Sequence, residues 1–201
     1  MFLHSLIVKF VVQESGILTK IESHDPSAFR DLFDMYHQMV FNLCFRMTGN
    51  RQEGEDLTQE VFLKVYQSLN NFRLESKLST WLYRITINHC LNQQMKKKRQ
   101  RWLSLEFVME SESDVKNLSL VTTKNNPDIV LEQKETELIV QKCINSLPAK
   151  QRIAIILHRY EGLSYQDIAD VMKCSVASVE SRLFRAKQNL VLKLRPYLKD
   201  L

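Results

Sequence analysis

Glycine and proline are scarce in this chain, at 4 each in 201 residues. That excludes a fold built on many tight turns and favours long helices. The four cysteines, Cys44, Cys90, Cys143 and Cys174, are widely spaced and form no C-x-x-C pair. A secreted disulfide framework and a zinc knuckle are therefore not expected, and the thiols read as reduced and structural. His89-Cys90 is adjacent in sequence, but neighbours on a helix point about 100° apart and do not easily share a metal. No nucleophile–base constellation stands out, so neither a catalytic centre nor a cofactor or metal is expected. No apolar run reaches the roughly 20 residues that a membrane-spanning helix needs. The opening MFLHSLIVKFVV is too short for that. It also lacks a basic n-region and a small-residue cleavage site. It reads as a disordered or partner-docked extension over residues 1–24, or as a start placed too far upstream.

Charge is present but unevenly spread. The net charge is +5, which suits an acidic partner. Lys96, Lys97, Lys98, Arg99 and Arg101 follow an aromatic and aliphatic helical stretch, STWLYRITINHCLNQ. Clustered cations repel one another unless a polyanion is near. Between Ser104 and Asn126 the sign reverses: Glu106, Glu110, Glu112 and Asp114 sit among Ser, Thr and Asn. This segment, residues 103–126, reads as a flexible acidic linker that could fold back on the basic run.

On either side of it lie helical blocks. Asp25-Pro26 opens the first, residues 25–102. Phe29, Leu32, Phe33, Tyr36, Val40, Leu43 and Met47 mark one buried face, and Gly49 supplies the stop. Asn50 and Glu53 form a capping pattern for the next helix. Its apolar stripe is Leu57, Val61, Phe62, Val65, Tyr66 and Leu69. Its other face, Glu53, Glu55, Asp56, Gln59 and Glu60, has few bases beside it in the sequence. The second block, residues 127–201, holds a helix to about Asn145 and another after Ser146-Leu147-Pro148. Ser164 and Asp167 then cap a short helix with Ile168, Ala169 and Met172 inside. After the turn Lys173-Cys174-Ser175 comes a long helix with Val176, Val179, Leu183, Ala186 and Leu190 inside. No strand pattern appears, so the expected fold is all-α with two small helical domains.

The last two helices have helix-turn-helix spacing, with Ala169 small enough for the crossing. In that arrangement the N-terminal half of the second helix meets base edges in the major groove. Ser175, Ser178, Glu180, Ser181, Arg182, Phe184, Arg185 and Lys187 are the candidates there. Arginine can donate two bonds to guanine, glutamate can accept from cytosine, and serines at a helix start suit phosphate.

GEDLTQEVFLKVYQSLNNFR, LSTWLYRITINHCLNQ and LPAKQRIAIILHRYEGLSYQDIADVMKCSVASVESRLFRAKQNL together resemble the extracytoplasmic-function (ECF) sigma factors of bacterial RNA polymerase. The resemblance covers Pro26 to Leu194 apart from the linker. It implies a cytoplasmic promoter-recognition subunit that binds core polymerase, through its clamp coiled coil and flap, and promoter DNA, with no small-molecule substrate. It implies that Asp56, Gln59 and Glu60 face the clamp. It also implies that Asn71, Phe72, Arg73, Glu75, Ser76 and Ser79 capture a flipped base of the −10 element. Trp81, Arg84 and Asn88 would continue that surface, and the basic run would follow phosphate. The second block would bind the −35 element. Members of this family are often held by an anti-sigma factor, commonly at the membrane. Residues 1–24 have no counterpart in the pattern, and Glu180 stands where many members carry a base. A free-standing helix-turn-helix regulator is the alternative.

Overall fold

A computed structural model describes residues 2–72, 76–109 and 128–197, with side chains from 12 to 72, 76 to 100, at 102, and 136 to 197. The described residues are helical, without a strand. Eight α-helices run in order: α1 (Phe2–Glu22), α2 (Ala28–Thr48), α3 (Arg51–Ser68), α4 (Leu78–Met109), α5 (Asp128–Asn145), α6 (Ala149–Arg159), α7 (Tyr165–Met172) and α8 (Val176–Leu194). A 3₁₀ turn, Leu69–Asn71, follows α3. Most of the acidic linker lies outside the described residues, as do its expected fold-back and the Asn126-Pro127 helix start.

The helix boundaries come from local chemistry. Asp25 Oδ1 accepts from the Ser27 amide at 2.8 Å, so the Asp-Pro pair turns the chain just ahead of α2. Gly49 ends α2 in the left-handed region at φ 73° and donates its N–H to the Phe45 carbonyl. The Asn50 side chain accepts from the Glu53 amide at 3.1 Å, as its capping pattern predicts. Ser164 accepts from the Asp167 amide and Ser175 from the Ser178 amide, capping α7 and α8. The intervening turn passes through Lys173 at φ 49°.

α2, α3 and α4 pack as a bundle around Leu32, Val40, Leu43, Val61, Val65 and Leu82. α1 lies across α2 and buries Ile17 and Ile21 in that core. Its Glu14 accepts from the Tyr36 hydroxyl at 2.9 Å. The N-terminal extension is therefore a helix docked on its own chain. The predicted buried faces need two corrections. Phe33 and Tyr66 stand partly in solvent, Tyr66 at 64% exposure. They form an outer aromatic row with Phe29, His37 and Phe62. Edge and tilted ring contacts give them partners outside the core. α4 also continues as helix seven residues beyond Trp102, to Met109.

α6, α7 and α8 form a second bundle around Ile156, Leu157, Ile168, Val179, Leu183 and Ala186. Ala169 is buried where α7 and α8 meet. One continuous core then joins both bundles, because α7 lies on α4 while α5 and α6 lie on α2.

At Gly54 the backbones of α2 and α3 approach closely. A Cβ there would stand 3.1 Å from the Phe45 Cα and 3.2 Å from its amide nitrogen. Gly54→Val should therefore push α2 and α3 apart and cost about 1–3 kcal/mol. Thermal unfolding followed by circular dichroism measures this, and an unchanged midpoint would show that the crossing has slack.

Candidate nucleic-acid interface

The helix-turn-helix presents the face expected to meet DNA. Capped by Ser175, α8 turns Glu180, Ser181, Phe184, Arg185 and Lys187 to solvent, with Phe184 at 63% exposure. Phe184 is thus a surface residue. Arg182 is half-buried, and its Nη1 lies 3.1 Å from Cys174 Sγ and 3.7 Å from Met172 Sδ. The turn thereby holds this guanidinium against the protein. Ser178, Ser181, Arg182 and Arg185 line a groove of about 390 Å³ whose other wall is the start of α6. That wall carries Lys150, which sequence reasoning missed. A lysine directly after Pro148-Ala149 at a helix start was the available signal, because a helix start carries partial positive charge and this one lines the same groove.

The expected −10 surface is only partly assembled. Asn71 is exposed on the 3₁₀ turn, and Asn88 is exposed on α4. Ser76 and Ser79 are half-buried. The Phe72 ring stacks at 5.0 Å and 50° on Trp81, and both rest against the core. Trp81 is therefore neither fully core nor free. Arg73 and Glu75 lie outside the described residues. Asn88 shares a hollow of about 430 Å³ with Lys64, Gln67, Ser68 and Asn92. These polar neighbours sit within one turn of each other on α3 and on α4, and only the pairing of those helices gathers them.

Arg84 is engaged within the chain. Its Nε and Nη2 donate to the Asp170 carbonyl of α7 at 3.1 and 2.6 Å. Beside it Lys77 pairs with Asp167 at 2.9 Å. Hydrogen bonding from Ser164 and the Lys77 ammonium together hold the Asp167 carboxyl below its ordinary range. The Tyr83 hydroxyl donates to Glu161 at 3.1 Å, and burial raises the Glu161 carboxyl. The Arg46 guanidinium stacks 4.0 Å over the Tyr160 ring. Gln141 donates to the Arg46 carbonyl at 2.9 Å. The buried Arg152 guanidinium donates to Gln94 and to the Asn145 carbonyl, and its Nε has no partner. Together these bonds seat the second bundle on the first.

Of the basic run, Lys96, Lys98 and Arg99 are exposed. Lys97 reaches back to Glu53 at 2.7 Å. The Arg101 side chain lies outside the described residues. The expectation that the polar face of α3 has few bases beside it does not hold. Glu55 pairs with Arg51 at 2.9 Å, and Lys97 covers Glu53. Glu60 accepts from Gln93 at 2.7 Å and meets His89 Nε2 at 2.6 Å. Gln93 foremost, then His89, hold its carboxyl below the ordinary range. His89 and Lys97 arrive from α4, far away in sequence. Asp56 and Gln59 remain exposed. No three His, Cys, Asp or Glu among the described residues are placed to hold a metal. No described helix is long and apolar enough to cross a membrane.

Known proteins share this sequence and arrangement. A Sigma-70 region 2 model matches residues 32–100, and a Sigma-70, region 4 model matches residues 137–190. The RNA polymerase sigma-H factor of Pseudomonas aeruginosa is 34% identical over 94% of this chain and 97% of its own. The ECF RNA polymerase sigma factor SigW of Bacillus subtilis is 32% identical over 89% of this chain and 95% of its own. The ECF RNA polymerase sigma-E factor of Escherichia coli K12 is 33% identical over 91% and 95%. In solved structures, CnrH, in complex with the cytosolic domain of CnrY, superposes with a TM-score of 0.63 at 18% identity, covering 92% of this chain and 98% of that one. The sigma factor RpoE of Bartonella quintana, in complex with the anti-sigma factor NepR, gives 0.60 at 24% identity, covering 84% and 98%.

Removing both Arg84 and Lys77 by alanine substitution should loosen α7 from α4 by about 1–2 kcal/mol, close to tenfold in the open population. Amide hydrogen exchange in α7 should quicken by that factor while α2 and α3 stay protected. Unchanged exchange in α7 would mean that apolar contact alone seats it.

Proposed function

The chain belongs to the extracytoplasmic-function sigma factors of bacterial RNA polymerase, and on that premise we propose how its two bundles divide the work at a promoter. It is a transcription initiation factor that joins core polymerase and recognises promoter DNA. It needs no catalytic centre or cofactor of its own, and it acts in the cytoplasm with the polymerase. Residues 25–102 take the −10 element and the polymerase clamp, and residues 127–201 take the −35 element and the flap. Residues 103–126 join them, and α1 is a brace for the first bundle within the extension 1–24. An anti-sigma factor is the expected antagonist, as for the RpoE relative solved with NepR.

The observation that carries this reading is the exposed N-terminal half of α8 above a capped, tightly turned α7. Arg185 and Glu180 are free to address base edges in the major groove. Lys150, Ser178, Ser181 and Lys187 border them and suit phosphate. In the first bundle Asp56 and Gln59 offer the clamp an accessible polar pair, while Glu60 supports them from its bonds to Gln93 and His89. Asn71, Phe72 and Ser76 flank the place where a flipped base would sit, and Trp81 backs Phe72 as the stacking plane. Lys96, Lys98 and Arg99 follow phosphate where the strands part. Unstacking a base costs a few kcal/mol, and a trapped base returns it, so no nucleotide hydrolysis is required.

Distance demands that the bundles separate. The −35 and −10 elements lie about 25 base pairs apart, roughly 85 Å along B-form DNA. A compact chain of this length has a radius of gyration of only about 16 Å. Residues 110–127, fully extended, reach at most about 60 Å. With the widths of two bundles added, that spans the gap. Opening also frees Arg84 from the Asp170 carbonyl to join the −10 surface.

Run-off transcription with core polymerase tests the assignment: addition of this chain should yield transcripts from promoters that core alone ignores. Transcript absence on every genomic promoter, together with failure to co-purify with core, would leave the free-standing regulator as the better account. Two substitutions separate the DNA roles. Neutralising Lys96, Lys98 and Arg99 should flatten the salt dependence of holoenzyme binding by about 0.7–0.9 log unit per lost phosphate contact. Arg185→Ala should instead relax preference at one −35 position by about 1–3 kcal/mol; uniform weakening on all sequences would assign Arg185 to phosphate.

A further inference from the structure

Two thiols meet in the core of the first bundle. Cys44 on α2 and Cys90 on α4 are each 0% exposed, and the Cys90 S–H donates to Cys44 Sγ across 3.9 Å. Cys143 and Cys174 have other neighbours: Cys143 donates to the Lys193 carbonyl at 3.7 Å, and Cys174 lies against Arg182. Nothing in promoter binding calls for a pair of touching thiols.

We propose that Cys44 and Cys90 are a reversible thiol–disulfide pair, oxidised by hydrogen peroxide, that reports redox state to the contact between the two bundles. A disulfide has an S–S length of about 2.0 Å, so the sulfurs must close by about 1.9 Å. A change of χ1 moves a cysteine sulfur while the helix axis stays in place.

Access comes from the Cys90 side. Cys90, but not Cys44, borders a cavity of about 650 Å³ that Arg152 of α6 also lines, with Gln94, Asn145 and Leu57. The bond to Cys44 and burial push the Cys90 thiol up, and the Arg152 guanidinium works against them. The bond from Cys90 lowers the Cys44 thiol, which makes Cys44 the readier thiolate of the two and suits it to the second step. The Cys90 sulfur attacks one peroxide oxygen, the O–O bond breaks, and the thiol proton leaves on the departing hydroxide. The products are a sulfenic acid at Cys90 and one water. The Cys44 thiol then attacks the sulfenic sulfur, the S–S bond forms, and a second water leaves. Two thiols and one hydrogen peroxide thus yield one disulfide and two waters, and a dithiol reductant reverses the change.

The link lies next to the seam between the bundles. One turn beyond Cys90, Gln94 donates to the Met47 carbonyl at 2.8 Å and accepts from Arg152. Two residues beyond Cys44, Arg46 stacks on Tyr160. A disulfide ties together the helix turns that carry both contacts and holds the second bundle in its closed seat. Oxidation therefore lowers transcription by keeping the −10 and −35 surfaces together.

The test begins with the intact wild-type chain, folded and treated with hydrogen peroxide. After alkylation and non-reducing digestion, mass spectrometry should find a peptide linking Cys44 to Cys90, minus two hydrogens, with Cys143 and Cys174 alkylated. A thioredoxin-type reductant should restore all four free thiols. A Cys143→Ser variant should form the same link, and Cys90→Ala should lose it. Promoter-directed run-off with core polymerase should fall severalfold on oxidation and recover on reduction. Sulfinic acid at Cys90 without the link, or links only to Cys174 or Cys143, would overturn the pairing. A link with unchanged transcription would overturn the regulatory role. The transcription arm rests on the sigma-factor reading, whereas the peptide arm needs no polymerase, so the two fail separately.

Discussion

Everything in this structure depends on α4 being wanted on more than one side. Leu78, Leu82, Ile87 and Cys90 turn inward and complete the core of the first bundle. Lys77, just ahead of the helix, and Tyr83 and Arg84 on its first turns hold the second bundle. The far end carries the exposed cations Lys96, Lys98 and Arg99. The helix shows almost no amphipathic bias over its whole length because these demands lie on different faces at different heights. Packing, closure and charge are thereby joined in one rigid rod. A shift of α4 would be felt by the core, the interbundle contact and the exposed cations together.

The contact between the bundles is polar where it can open and apolar where it rests. Ion pairs and hydrogen bonds to groups near solvent contribute little net stability, because water offers nearly equivalent partners when they separate. Lys77–Asp167 and Arg84 with the Asp170 carbonyl are of that kind. Arg152 differs, since burial works against its charge and its Nε has no bond. A buried cation with incomplete bonding favours separation, where water completes its shell. Arg152 thus both bonds across the contact, through Gln94, and bears a cost of burial there.

Much of the fold was legible in the sequence. Helix starts at Asn50, Ser164 and Ser175 and the stop at Gly49 are local, since a side chain or a bare Cα meets backbone only a few residues away. The small Ala169 and the two apolar stripes around it predict the α7–α8 crossing for the same reason. Phe33 and Tyr66 misled because periodicity identifies an apolar row without giving its width. The neighbours available to cover that row are set by the next helix. The basic run read as uniform, yet Lys97 differs from Lys96 and Lys98 because Glu53 lies one helix away on the matching side. Glu60 read as a free carboxylate because His89 and Gln93 are about thirty residues distant.

The order of residues alone determined that the chain is helical, where most helices begin and end, which face of α8 meets solvent, and which family it joins. Each of these follows from spacing along one helix or from motif order, and such information is written within a few turns. Tertiary structure decided that α1 braces the first bundle, that Arg84 is occupied, that Lys150 lines the groove beside α8, and that Cys44 touches Cys90. These depend on the rotation and register at which helices meet. That geometry is fixed by the summed fit of many side chains, so no short stretch of sequence contains it.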